Sequence, residues 1–361
     1  MSLRKQIYRY YPQMKQYDAL GTSTIFSPYL MFKSPNNFTS NVVNTDSNSF
    51  RLSGSDGKLR LDNLDQKSNI NIITGGSTAF GIGATSDQST ISSYLSNKTN
   101  KNWVNFSGRA YVSTQEFISF AYYRDLAQSI NNIVIFSGIN DLYLYFASKY
   151  YNKRFGSLFM ASNFMNNMNC DHSLKGVITR PIINKILEFI YGEHDFNLIS
   201  NRDAINLLFR SKSISQIENK LSQYESISSH NQHPFEIIDV FKRNMSNWKI
   251  MADYYDAKIT FILQPYSNWL DDRPLTNNEK QVFEILDLLG KESGRIIFGK
   301  MNGLHHWYSK ELSKACSEQN INYFDSNQVL NTNHKKDIFV DRVHLTDYGN
   351  KIISNFILEK I

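Results

Sequence analysis

The chain has 361 residues, 41% of them hydrophobic and 20% charged, a balance that excludes wholesale disorder and supplies enough apolar material for a sizeable core. Lys and Arg number 39 against 33 Asp and Glu, a net charge of +6, yet the basic residues are scattered along the chain, so charge alone identifies no partner. Cys170 and Cys316 lie far apart and outside any CxxC pattern, which indicates neither a disulfide framework nor a thiolate metal site.

The basic start Met1-Ser-Leu-Arg-Lys meets Arg9 and the Tyr10-Tyr11-Pro12 turn before any apolar signal-peptide core forms, and no later stretch is apolar for long enough to span a bilayer. A cytoplasmic location without a transmembrane segment is the expectation. Residues 1–68 carry aromatic clusters and the loop-like runs Ser34-Pro-Asn-Asn37 and Ser53-Gly-Ser-Asp-Gly57, which predict a β-rich N-terminal extension packed on the core.

From residue 69 to the C-terminus the pattern is strand followed by crossover. Strands are expected at Asn71 to Thr74, Trp103 to Phe106, Ile133 to Phe136, Ile259 to Leu263 and Ile321 to Phe324. Ile133-Val-Ile-Phe136 is apolar throughout, as a central strand covered on both faces must be. Between about 142 and 233 the repeat is interrupted by amphipathic stretches, such as Asp203 to Tyr224, and an Asn-rich patch from Asn163 to Asn169, read as a helical cap insertion. Ile237, Val240, Phe241, Met245, Trp248, Met251, Ala252 and Tyr255 recur at helical spacing, which is core packing and not a cofactor box. A last helix is expected from Thr346 to Leu358, with Tyr348, Ile352, Ile353 and Phe356 inward.

Gly75-Gly76-Ser77-Thr78 follows the first of these strands. A serine in a glycine turn at a helix start is well placed to act as a nucleophile, because free N–H groups there face developing negative charge; the same segment also reads as a turn with a capping serine. Near the C-terminus, Asp341-Arg-Val-His344 spaces a carboxylate to orient one ring nitrogen while the other takes a proton from Ser77, or else is a surface histidine before a capped helix. Asn105-Phe-Ser-Gly108 and Ser137-Gly-Ile-Asn140-Asp141 end the second and third strands, and the N–H groups of Ser77 and Gly108 with the Asn140 amide would offer three donors to an oxyanion.

Taken in order, Gly-Gly-Ser77, Gly108, Gly-Ile-Asn140-Asp141 and Asp341-Arg-Val-His344 resemble the four signature blocks of the SGNH, or GDSL-like, hydrolases. The resemblance covers roughly residues 68–145 and 236–361. It implies a three-layer α/β/α sandwich with a flavodoxin-like parallel sheet of about five strands in the order 2-1-3-4-5. It also implies Ser77 as nucleophile, His344 as general base and then acid, Asp341 as its orienting carboxylate, and an oxyanion hole of Ser77, Gly108 and Asn140. The chain departs from the family in carrying Gly76 where Asp is usual, so whatever support that carboxylate gives the turn must come from elsewhere.

Ser27-Pro-Tyr-Leu-Met-Phe32 and Asn44-Thr-Asp-Ser-Asn-Ser-Phe-Arg51 are similar to leaders of SGNH proteins associated with bacterial surface polysaccharides, which points to a carbohydrate ester, an O-acetyl group foremost. Tyr266 and Trp269, after the fourth strand, are candidates to stack on a sugar ring, or are ordinary loop packing. The expected activity is hydrolysis through an acyl-enzyme. Acyl transfer with the same residues, or glycan binding without catalysis, stand as alternatives. No cofactor is expected. His230 and His233, and the adjacent His305 and His306, lack carboxylate or thiolate partners in a metal-binding pattern, and neither an RNA-binding signature nor a phosphate-cradling loop occurs, so a small-molecule or glycan ester is the expected partner and nucleic acid is not.

Overall fold

The computed structural model describes residues 2–64, 69–148, 150–160, 174–191, 201–209, 215, 225–226 and 234–361. The chain divides into two compact units, Met1–Tyr143 with His233–Ile361, and Leu144–Gln232. The Asn-rich patch at 163–169, Cys170, His230, His233 and most of the stretch from 203 to 224 lie outside the described residues.

The first unit opens on two helices, α1 (Leu3–Tyr10) and α2 (Met14–Thr22), where a β-rich extension was expected. The tyrosines there favour strands by propensity, but Ile7, Tyr11, Met14, Tyr17 and Leu20 follow helical spacing and are buried together with Val42, Val43 and Phe80. Burial of one continuous apolar face outweighs the weak preference of single residues. Only after Thr22 does the extension become extended, in the three-residue strands β1 (Ile25–Ser27) and β2 (Met31–Lys33), which pair antiparallel.

The body is a five-stranded parallel sheet of β3 (Asn69–Gly75), β4 (Asn102–Asn105), β5 (Ser129–Ser137), β8 (Lys258–Leu263) and β9 (Asn322–Asp325). Its order is β4-β3-β5-β8-β9, the flavodoxin-like 2-1-3-4-5 arrangement. Alternate side chains serve opposite faces: Val134, Phe136 and Ile262 pack with Ile91, Leu95, Ile353 and Phe356 on one side, while Phe261 meets Phe241 of the helix Phe235–Tyr254 on the other. The sheet is thus the middle of three layers. The helix Asp347–Leu358 buries Ile353, Phe356 and Ile357; Tyr348 and Ile352 are only partly covered.

The second unit contains the pair β6 (Tyr150–Tyr151) and β7 (Glu225–Ser226) and the helices Leu174–Tyr191 and Asn201–Leu208, joined through Leu187, Ala204 and Leu207 and a bond from Tyr191 Oη to the Leu207 carbonyl. Among the described residues no helix is long and apolar enough to cross a membrane.

Candidate active site

The carboxyl ends of β3, β4 and β5 border the crevice where the strand order reverses, the place at which open α/β sheets hold ligands. β3 ends at Gly75, Gly76 precedes the one-turn helix α3 (Ser77–Phe80), and Ser77 is the first helical residue, so its N–H lies beyond reach of the helix's own carbonyls. Thr78, Ala79 and Phe80 are buried and anchor the turn from below. Thr78 Oγ1 donates to the Val343 carbonyl (3.1 Å) and accepts from Gln264 Nε2 (3.0 Å), tying the Ser77 turn to the loop that carries His344.

That loop is the tip of a short hairpin. Phe339 bridges Leu345, Val340 N–H donates to the His344 carbonyl (2.9 Å) and Thr346 N–H to that of Ile338 (2.8 Å). Asp341 Oδ1 accepts from the N–H groups of Val343 (3.0 Å) and His344 (2.8 Å), leaving Oδ2 for His344 Nδ1 at 2.6 Å. On the far edge of the ring, Nε2 lies 2.7 Å from Ser77 Oγ. Thr346 then caps the helix Asp347–Leu358 through the Gly349 N–H (3.2 Å), which fixes the direction in which the loop leaves.

Burial pushes the Asp341 carboxyl up, but the imidazole beside it, the Nδ1 bond and the Val343 and His344 N–H groups more than offset that and hold it below the usual carboxylate range. An ionised carboxylate only accepts, so Nδ1 carries the ring proton, and Nε2 is the acceptor for the Ser77 hydroxyl. The side chains of His344 and Asp341 are 17% and 20% exposed, so the pair is shielded while remaining open to a small reactant.

Asn140 stands in the first turn of the helix Ile139–Ala147, after β5. Its Nδ2 donates to the Tyr111 carbonyl (2.7 Å), and a side chain on Gly76 would place its Cβ 2.6 Å from that nitrogen. One amide hydrogen therefore anchors the group, and that bond holds the amide beside the Ser77 turn.

Gly108 does not present a free donor. Its N–H donates to the Gly75 carbonyl (3.1 Å), continuing the β3–β4 ladder one step beyond Phe106 N–H to Ile73 (2.8 Å). The absence of a side chain there makes room for the Tyr111 ring, into which a Cβ would project. Two residues on, Ala110 takes a left-handed conformation, φ +57°, unusual for a residue with a Cβ, at the point where the loop turns toward Tyr111 and Asn140.

Tyr266 and Trp269 also depart from expectation. Both are buried: Trp269 donates from Nε1 to the Met301 carbonyl (2.9 Å) and stacks on His305 at 4.6 Å, while Tyr266 packs against Trp269 and Phe298. They build the wall of the fold and present no face to a sugar.

Two further carboxyls sit behind Asn140. Asp141 accepts from Ser113 N (3.0 Å) and Oγ (2.8 Å), and burial lifts it to about 6 despite those bonds. Glu116, fully buried and bonded to Ser137 Oγ (2.6 Å), is raised well above the usual range by burial and by the Asp141 charge. The two are not visible as a pair in the sequence, since they stand on different helices, Ser113–Tyr123 and Ile139–Ala147. Gln264 was open to detection: it is a polar residue directly after an apolar strand, at the same edge as Ser77 and Asn140.

No group of three or more His, Cys, Asp or Glu side chains placed to hold a metal occurs among the described residues. No family model and no curated protein matches the sequence. Among solved structures, the chain is similar to an acetyl xylan esterase, AlAXEase, at 11% identity and TM-score 0.38, covering 81% of this chain and 99% of that one. It is also similar to an extracellular lipase from Streptomyces rimosus, at 8% identity and TM-score 0.40, covering 81% of this chain and 100% of the other.

Proposed function

We propose that the chain is a serine ester hydrolase of the SGNH type, and the observation that carries this reading is the continuous path from Ser77 Oγ to His344 Nε2 (2.7 Å) and from His344 Nδ1 to Asp341 Oδ2 (2.6 Å). Ser77 Oγ attacks the ester carbonyl as His344 Nε2 removes its proton, and the carbonyl oxygen becomes an oxyanion facing the Ser77 N–H and the second Asn140 Nδ2 hydrogen. His344 returns the proton to the leaving alcohol, which departs and leaves the acyl group on Ser77. Water, deprotonated by the same nitrogen, then attacks the acyl-enzyme, and the proton passes back to Ser77 Oγ as the acid is released.

The substrate is an acyl ester of a carbohydrate or related small molecule, with O-acetyl foremost. The support for this is the resemblance carried by residues 27–32 and 44–51, since Tyr266 and Trp269 no longer contribute to it. Purified protein is expected to release p-nitrophenol from short acyl esters and to label with a fluorophosphonate probe, and Ser77→Ala is expected to lose both. Undiminished turnover in Ser77→Ala would remove the assignment, and a preference for long acyl chains would move the substrate to lipids.

A further inference from the structure

Arg51 is one of the largest fully buried side chains of the molecule, and it closes the second N-terminal segment singled out in the sequence, Asn44 to Arg51. The hydroxyl, ring and amides around it are not those of a surface ion pair. Nε donates to Asp87 Oδ1 (2.9 Å), Nη1 to Tyr17 Oη (2.9 Å), the Phe80 carbonyl (3.2 Å) and the Gly81 carbonyl (2.6 Å), and Nη2 to the carbonyls of Val42 (3.1 Å) and Ser86 (3.3 Å). Asn44 reaches the same Asp87 from the other end of its segment, through N (3.3 Å) and Nδ2 (2.6 Å).

Two of these acceptors, the Phe80 and Gly81 carbonyls, lie at the exit of α3. Four residues of α3 cannot hold a helical turn alone, and the carbonyls at its C-terminal end need donors from outside. Asn105 Nδ2 serves Ala79 (3.1 Å), and Arg51 serves Phe80 and Gly81, where the chain turns through φ +91°. A cation is also the charge that the carbonyl end of a helix favours. The loop leaving Gly81 then runs to the histidine side: Thr85 N–H and Oγ1 donate to Asp347 Oδ1 (2.8 Å) and Oδ2 (2.5 Å), three residues beyond His344. One guanidinium therefore fastens both ends of the segment from Gly81 to Asp87, whose Thr85 is bonded to Asp347 beyond His344.

We infer that Arg51, with Tyr17 and Asp87, is a positioning residue that sets the Ser77 to His344 geometry from the carbonyl end of α3. It does so in a chain where a side chain at position 76 would have to displace the Asn140 amide. The inference rests on the serine-hydrolase reading of the site. A buried five-donor fork spanning a carboxylate, a phenol and four carbonyls is also why lysine cannot replace it: an ammonium has three donors from one point.

The experiment measures kcat and KM for a short p-nitrophenyl ester, the rate of fluorophosphonate labelling, and the melting temperature, for the full chain carrying Arg51→Gln, Arg51→Lys or Tyr17→Phe. Trp248→Phe, a buried change in the helix Phe235–Tyr254 against Phe120, controls for loss of stability as such. In folded Arg51→Gln, kcat and the labelling rate are expected to fall about 10²-fold while KM stays within about twofold, as for a displaced reacting group. Arg51→Lys is expected to fall less, and Tyr17→Phe about fivefold, the equivalent of one ordinary hydrogen bond. Trp248→Phe should melt earlier with kcat unchanged. If Arg51→Gln fails to fold, Tyr17→Phe decides. A reactive wild type with unaltered kcat in the folded variants overturns this inference alone, whereas a wild type inert to ester and probe removes the hydrolase reading and this inference with it.

Discussion

Asn140 occupies the space that a side chain at position 76 would need. Its Nδ2 lies 2.6 Å from where a Gly76 Cβ would stand, and it is held there by the Tyr111 carbonyl at 2.7 Å. The absence of a side chain at 76 is thus tied to the placement of the Asn140 amide beside the Ser77 turn: a larger residue at 76 displaces the amide or the turn. Gly76→Ala and Gly76→Asp are expected to lower kcat by about 10²- to 10³-fold, the scale of losing one oxyanion donor, with KM little changed. Steady-state kinetics on a short ester checks this, and wild-type kcat in Gly76→Asp would show that Asn140 takes no part in the chemistry.

How far this site could be read from residues alone follows from what each feature depends on. That Ser77, His344 and Asp341 lie together was legible because strand ends and an i, i+3 spacing are local signals, and local signals also gave the sheet and its two long helices. Gly108 was misread because a glycine after a strand looks the same whether its N–H is free or continues the ladder, and the β3–β4 register decides. Tyr266 and Trp269 were misread for a related reason, since an aromatic after a strand is exposed only if nothing packs over it, and here Phe298 and His305 do. The N-terminal helices were hidden by tyrosines, and the role of Arg51 by a separation of 36 residues from its carboxylate partner.

Asp141, raised by burial to about 6 against an ordinary 3.8, links stability to pH with a definite sign. Between those values the folded state holds a proton that the unfolded chain has already lost, so stability falls as pH rises. The contribution is complete below the unfolded value and gone above the folded one, a difference on the order of 3 kcal/mol. Asp141→Asn keeps an acceptor for the Ser113 N–H and cannot ionise. It is expected to match wild type near pH 4 and to exceed it at neutral pH, with Glu116 leaving a residual slope of the same sign. Urea midpoints across that range test this, and parallel pH profiles for the two proteins would contradict it.

Glu279 supports the histidine loop at its root. The carboxylate is fully buried with Arg273 (2.6 Å), and its Oε1 accepts from the N–H groups of Ile338 (2.8 Å) and Phe339 (3.0 Å), two residues before Asp341 in the hairpin. Removing one member of such a pair leaves a charge in a dry site, so Glu279→Gln is expected to destabilise the protein by about 3 to 5 kcal/mol. The amide still offers one oxygen to those N–H groups, which separates the two roles of the residue. Where the variant remains folded, the hairpin keeps its bonds and kcat should stay close to wild type, in contrast to Arg51→Gln, whose acceptors include the carbonyls at the end of α3. Denaturant melts paired with kinetics distinguish the outcomes: a folded Glu279→Gln with a collapsed kcat would place the pair in control of His344 itself, and one with unchanged stability would mean that the buried Arg273 charge is compensated by a group other than Glu279.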